Sequence, residues 1–369
     1  MKRRSFLKGA ALGGVAMAAA ASSFPKPALS QGKIQWRMVT SWPKNLPGLG
    51  TGAQRLADRI GQLTDGRLTV QLYAGGELVP ALACFDAVAD GTAQMSHDCA
   101  YYHLSKSPAA AFFTAVPAGL LANEHNAWIY WGGGQELWDE LYKPFGIKAF
   151  MSGNTGVQMG GWFRKEINSM ADMKGLKFRM PGQGGQVLTA IGATQVNLPG
   201  GEIFPNLQSG AIDGTEWVGP YNDLALGFYQ VAKYYYWPGF HEPGSNLQSM
   251  INIKAWEELA PDLQEIVKAA CAAENDRMLA EFNARNAPAL ETLVREHGVQ
   301  LRRFPNDVWN EFGRASGELM TNLLTNGDPI TKKVASSFLA FRQQAIRWTR
   351  IGDQGFAESR LLPFDYPRG

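Results

Sequence analysis

Ile34-Gln35-Trp36-Arg37-Met38-Val39 alternates its side chains with the period of a β-strand. Outward from it, Leu49 to Leu63 carries Leu56, Ile60 and Leu63 at helical spacing, and Thr64-Asp65-Gly66 stops the pattern. Leu68-Thr69-Val70-Gln71-Leu72-Tyr73 reads as a second strand. Pro80 to Ala89 reads as a helix ending at Asp90-Gly91, and Met95 to Tyr101 as a third strand. The order βαβαβ is that of a sheet with crossover helices, so an α/β fold is expected.

A new strand begins near Gly146-Ile147-Lys148-Ala149-Phe150, where glycine and proline density rises. Strands and helices alternate again from about Asn154 to Pro243. Two α/β lobes joined by crossing segments follow from this. From Lys254 onward helices dominate. Ala255 to Gly298 is a long helical pattern interrupted at Pro261 and Pro288, and Trp309 to Leu324 and Thr331 to Ile351 follow. The last carries Val334, Phe338, Phe341, Ile346 and Trp348, so it needs a surface to pack on.

The first thirty residues read as an export signal. Lys2-Arg3-Arg4-Ser5-Phe6-Leu7-Lys8 carries paired arginines, an Ala/Gly-rich apolar stretch runs from about Gly9 to Ala21, and Ala28-Leu29-Ser30 offers small residues for a peptidase. A twin-arginine route to the periplasm is expected. The segment holds five cations and no acid. Of 35 Lys and Arg against 33 Asp and Glu, the remainder keeps 30 against 33, a net charge of −3. A mildly acidic chain without a basic run is a poor partner for nucleic acid. The 339 residues left exceed what one core usually supports, which again favours two lobes.

Cys84, Cys99 and Cys271 make an odd count, so at least one thiol stays unpaired in an oxidising compartment. None lies in a CxxC pair. His97, His103, His125, His241 and His297 are scattered without metal spacing, which leaves zinc and iron–sulfur centres unsupported. Gly182-Gln183-Gly184-Gly185 follows a strand but lacks the dinucleotide-binding spacing and acid.

Several segments resemble one family. Thr40-Ser41-Trp42-Pro43, Thr64-Asp65-Gly66-Arg67-Leu68 and Ala74-Gly75-Gly76-Glu77-Leu78-Val79-Pro80 resemble the first lobe of the extracytoplasmic solute receptors of TRAP transporters, the DctP-like proteins. Met173-Lys174-Gly175-Leu176-Lys177-Phe178-Arg179-Met180-Pro181-Gly182 resembles that family's hallmark segment. Asn206-Leu207-Gln208-Ser209-Gly210-Ala211-Ile212-Asp213-Gly214 with Glu216-Trp217 resembles its second. The likeness covers essentially the whole chain after the signal and is closest to the branch that binds 2-oxo acids and related monocarboxylates with a metal ion. It implies a two-lobe periplasmic binding protein, type II-like, with an interlobe cleft and a C-terminal helical extension. The expected boundaries are 1–30 for the signal, 31–152 with part of 244–300 for lobe one, 153–243 with part of 300–325 for lobe two, and 326–369 for the extension. It also implies a receptor that hands its solute to membrane permease subunits and catalyses nothing.

Arg179 is the expected anchor. Its planar fork fits a carboxylate with two parallel hydrogen bonds, and it stands at the end of an apolar strand, where clefts in α/β sheets lie. Glu216 and Glu242 sit in apolar, aromatic stretches that call for something to compensate their charge. A hard cation does so with oxygen ligands, and Gln158 and the backbone carbonyl of Trp217 complete the expected set. A 2-oxo acid would chelate the cation through a carboxylate oxygen and the keto oxygen. Charge arithmetic leaves the ion open; by family likeness sodium stands first and calcium second. Tyr101, Tyr102, Asn154 and Trp217 are the further expected wall residues for the ligand. Lactate or another organic acid is the alternative ligand, and an exported metal-dependent enzyme is the alternative class. The helix Thr331 to Ile351 packs either on its own lobes or on a partner chain in a homodimer.

Overall fold

The computed structural model describes residues 32–366; the export segment at 1–30 lies outside them. Eleven strands among the described residues form two sheets. β1 (Ile34–Thr40), β2 (Leu68–Tyr73), β3 (Met95–His97), β4 (Ile147–Asn154) and β10 (Asn246–Asn252) make a five-stranded sheet ordered β2-β1-β3-β10-β4. β5 (Gly161–Phe163), β6 (Lys177–Arg179), β7 (Thr194–Val196), β8 (Gly214–Thr215), β9 (Tyr234–Trp237) and β11 (Gln300–Arg303) make a six-stranded sheet ordered β11-β9-β5-β8-β6-β7. β1 runs parallel to β3, while β10 is antiparallel to both β3 and β4.

The first helix spans Leu49–Leu63 and buries Leu49, Ala53, Leu56 and Ile60 along one face. It stops where the sequence says it should. Asp65 and Gly66 both take positive φ, and the Thr64 hydroxyl donates back to the Ile60 carbonyl while accepting from Leu68 N–H.

Three local expectations are corrected. The third strand ends at His97 rather than Tyr101, and Ala100–His103 form a turn of 3₁₀ helix. Asp98 still bridges Gln248 through its backbone, and its buried carboxylate accepts from the Gln248 amide and lies 2.7 Å from His103 Nε2 in the turn that follows. The helix expected from Pro80 starts only at Cys84. Pro288 does not interrupt the long helix, which runs unbroken over Pro261–Arg295. Pro288 and Ala284 are both exposed, so the carbonyl that loses its partner faces water.

Two aromatic cores hold the sheets. On the five-stranded side, Phe113 stacks on Trp138 at 4.8 Å and on Trp128 at 5.4 Å. The helix Pro329–Ile351 joins this core through Val334 and Phe338, the latter 5.1 Å from Trp128. The near half of the C-terminal stripe therefore packs on its own chain. Its far half stays exposed at Trp348 and Ile351. On the six-stranded side, Phe163 stacks on Phe178 at 4.8 Å, and the helix Asn306–Asn326 adds Val308, Phe312 and Ala315.

The chain passes between the sheets in two neighbouring segments, 155–160 and 238–245, and a third time through the long helix that leads from β10 to β11. The first two are hydrogen-bonded to each other: Thr155 N–H to Ser245 O, Gln158 N–H to Glu242 O, and Gly239 N–H to Gln158 O. The helix Pro261–Arg295 braces the crossing. Its Met278 packs by Gly52 and Gly153 beside the first sheet, and its Phe282 meets Tyr221 edge-on beside the second. Cys84, Cys99 and Cys271 are all buried and unpaired.

Phe178 tests the second core. Phe178→Ala removes a fully buried ring and should lower unfolding free energy by roughly 3–5 kcal/mol, read from urea melts. A loss near that of a surface change would mean that the core is not built this way.

Candidate functional site

Arg179 is the last residue of β6, hydrogen-bonded in parallel register to β7 on one side and β8 on the other. That register sets its neighbour. Thr215 pairs with Arg179, and Glu216 N–H donates to the Arg179 carbonyl at 3.1 Å. The two side chains then meet: Nη1 donates to Glu216 Oε1 at 2.5 Å, and both residues are fully buried. Nη1 also reaches the Glu216 carbonyl, and Nε donates to the Leu198 carbonyl. Nη2 is buried and has no partner.

Trp217 covers the guanidinium, with its ring 5.0 Å from the central carbon of Arg179, in cation–π range. Gly200 makes room for it; a Cβ there would sit 2.5 Å from the indole. Trp42 closes on Trp217 edge-on from the first lobe at 6.2 Å.

The expected acids converge. Glu216, His241 and Glu242 each present a ligand atom within 4.8 Å of the others, and all three are buried. His241 Nε2 lies 3.2 Å from Glu216 Oε2. Burial alone would lower the His241 imidazole, but Glu216 beside it outweighs that and holds it above its usual value. Burial first, and then the Glu216 charge, push the Glu242 carboxyl up to about 7. Glu242 Oε2 and Gln158 Oε1 are buried without protein partners, while Gln158 Nε2 is tied to Thr155. A carboxylate and an amide oxygen left bare beside a second carboxylate fit a hard cation.

Tyr101, Tyr102, Gln158 and Trp217 line one pocket together with Trp42, Leu49, Cys99 and Thr155. Tyr101 packs at Gly182, whose positive φ of 66° excludes other residues without strain. Burial pushes both tyrosine hydroxyls well above their usual value, so they stay protonated donors. Asn154 does not line this pocket. It closes β4 in the five-stranded sheet rather than opening the second lobe, and its Oδ1 accepts from Gly156 N–H. His241 is the residue that sequence reasoning set aside. Its signal was adjacency to Glu242, which histidine-spacing rules ignore.

The family model for bacterial extracellular solute-binding proteins, family 7, matches residues 38–326. The chain is 41% identical over 365 residues to a monocarboxylate 2-oxoacid-binding periplasmic protein of Nostoc sp. PCC 7120, covering 97% of this chain and all of that one. A TRAP transporter solute-binding protein of Bordetella bronchiseptica, a mixed-occupancy dimer with copurified calcium and picolinate, superposes with a TM-score of 0.87 at 42% identity, over 89% of this chain and 98% of that one. Another from Pseudoalteromonas atlantica, with bound sodium and pyruvate, gives 0.86 at 40%, over 89% and 99%. The chain belongs to this family of solute-binding proteins, which bind rather than transform their ligands.

A cation bound at Glu242 competes with the proton that this carboxyl holds up to about 7. Calcium affinity should therefore climb about tenfold per unit as pH rises toward 7 and level off above it, with proton release seen by calorimetry in two buffers. A flat profile from pH 5.5 to 8 would remove Glu242 from the ligand set.

Proposed function

We propose that this family-7 solute-binding protein is the periplasmic receptor of a TRAP transport system. It binds a small 2-oxo monocarboxylate of the pyruvate kind together with sodium or calcium and delivers it to the membrane permease. One observation carries the reading: Arg179 Nη2, Gln158 Oε1 and Glu242 Oε2 are all buried without a protein hydrogen-bond partner, and Gln158 lines the pocket walled by Tyr101, Tyr102 and Trp217. A buried cationic N–H₂ group with no protein partner calls for an anion, and two bare oxygens call for a cation. The relatives with bound pyruvate and sodium, or picolinate and calcium, supply ligands of that chemistry.

In this reading Arg179 takes the ligand carboxylate, and Tyr101 and Tyr102 donate to its oxygens. Trp217 covers its small apolar end. Gln158, Glu216, Glu242 and the Trp217 carbonyl hold the cation, which supplies positive charge for the acids and a chelation point for a 2-oxo acid. Asn154 contributes by fixing the crossing segment through Gly156. Export by the twin-arginine route on Arg3-Arg4 belongs to the same proposal. So does a homodimer through the C-terminal helix, since Trp348, Ile351, Phe356 and Leu361 are apolar yet largely exposed, and the Bordetella relative is described as a dimer.

Pyruvate with calcium or sodium should raise the melting temperature. Stabilisation should reach about 2.7 kcal/mol at a hundredfold excess over Kd. Arg179→Ala should abolish the shift, and Glu216→Ala should weaken it strongly. No shift with either ion would sink the reading. Light scattering of the chain from residue 31 onward should give twice the monomer mass; a monomer at micromolar concentration would exclude the dimer.

A further inference from the structure

We infer that Asn222 is a positioning residue that ties ligand capture to closure of the two lobes. The inference rests on the solute-receptor reading above. Asn222 is fully buried, and its two polar atoms meet different halves of the molecule. Its Oδ1 accepts from the Trp217 indole N–H at 3.1 Å. Its Nδ2 donates to the Pro47 carbonyl at 2.6 Å. That carbonyl also accepts from Leu49 N–H, at the start of the helix Leu49–Leu63 on the five-stranded side.

Asn222 itself is anchored to the six-stranded side. The next residue, Asp223, accepts from Trp162 and Tyr235 of that sheet at 2.9 and 2.6 Å, and from Val218 N–H. Residues 216–223 thus form one braced segment. Glu216 is held by Arg179, Trp217 by Asn222, and Val218 by Asp223. Trp217 in turn lies over Arg179.

The position needs a neutral side chain that accepts at one end and donates at the other. The Trp217 bond lies within one lobe and survives when the lobes part. The Pro47 bond crosses between them and does not. Asn222 therefore stabilises the closed form selectively, and does so through the residue that covers the ligand-binding arginine. Its loss acts on how long the ligand stays, since a contact formed after encounter governs release more than capture.

Stopped-flow binding of pyruvate in calcium tests this on Asn222→Asp and Asn222→Ala. Asn222→Asp keeps the acceptor for Trp217 and removes the donor to Pro47. Both variants should release pyruvate roughly tenfold faster, the scale of one hydrogen bond, with association unchanged. The melting temperature of Asn222→Asp should fall less without ligand than with pyruvate bound, and spin labels on the two lobes should report a smaller closed fraction with pyruvate bound. Release at the wild-type rate in both variants overturns the inference. So does an equal fall in ligand-free and ligand-bound melting temperature, which would mark an ordinary structural contact. Wild-type protein that fails to bind pyruvate overturns the pyruvate reading and this inference with it; the variant outcomes overturn this inference alone.

Discussion

The buried pair of Arg179 and Glu216 is the interaction on which the site depends. Both groups are almost wholly out of water, and a charge in that position is tolerated only with a partner and hydrogen bonds around it. Parallel pairing of β6 with β8 provides the partner, because it sets Glu216 beside the strand end that carries Arg179. The compensation is incomplete. Nη1 and Nε are satisfied by the protein and Nη2 is not. The site keeps its strongest donor direction open, in surroundings where an incoming carboxylate meets little competing water.

Charge balance explains the rest of the cluster. Glu216 already shares its charge with Arg179 and His241, so Glu242 is left with burial and a like charge beside it. Its carboxyl rises to about 7, and a proton holds the place that a cation would take. In the proposed reading the same oxygens would serve two states, one neutralised by a proton and one by a metal ion.

The chain crossing makes these charges mechanically useful. Gln158 and Glu242 are hydrogen-bonded through their backbones on two of the segments that connect the sheets. The braced segment 216–223 adds a second link, with Trp217 over the arginine and Asn222 against Pro47.

Much of this was legible before folding. The alternation from Ile34, the helix Leu49–Leu63 with its Thr64-Asp65-Gly66 stop, and the placement of Arg179 at a strand end all follow from periods and turn residues acting over a few positions. The isolated acids Glu216 and Glu242 announced a charge that needed an answer. Tertiary structure decided which groups answered it. His241 meets Glu216 across 25 residues, and Asn222 meets Pro47 across 175. Asp98 gathers Gln248 from 150 residues away onto its buried carboxylate, and Pro288 is carried through its helix because that face is wet. Local sequence sets backbone preference and side-chain chemistry. Which buried polar atom finds a partner, and which is left for a ligand, is settled only when distant segments are packed together and water is excluded.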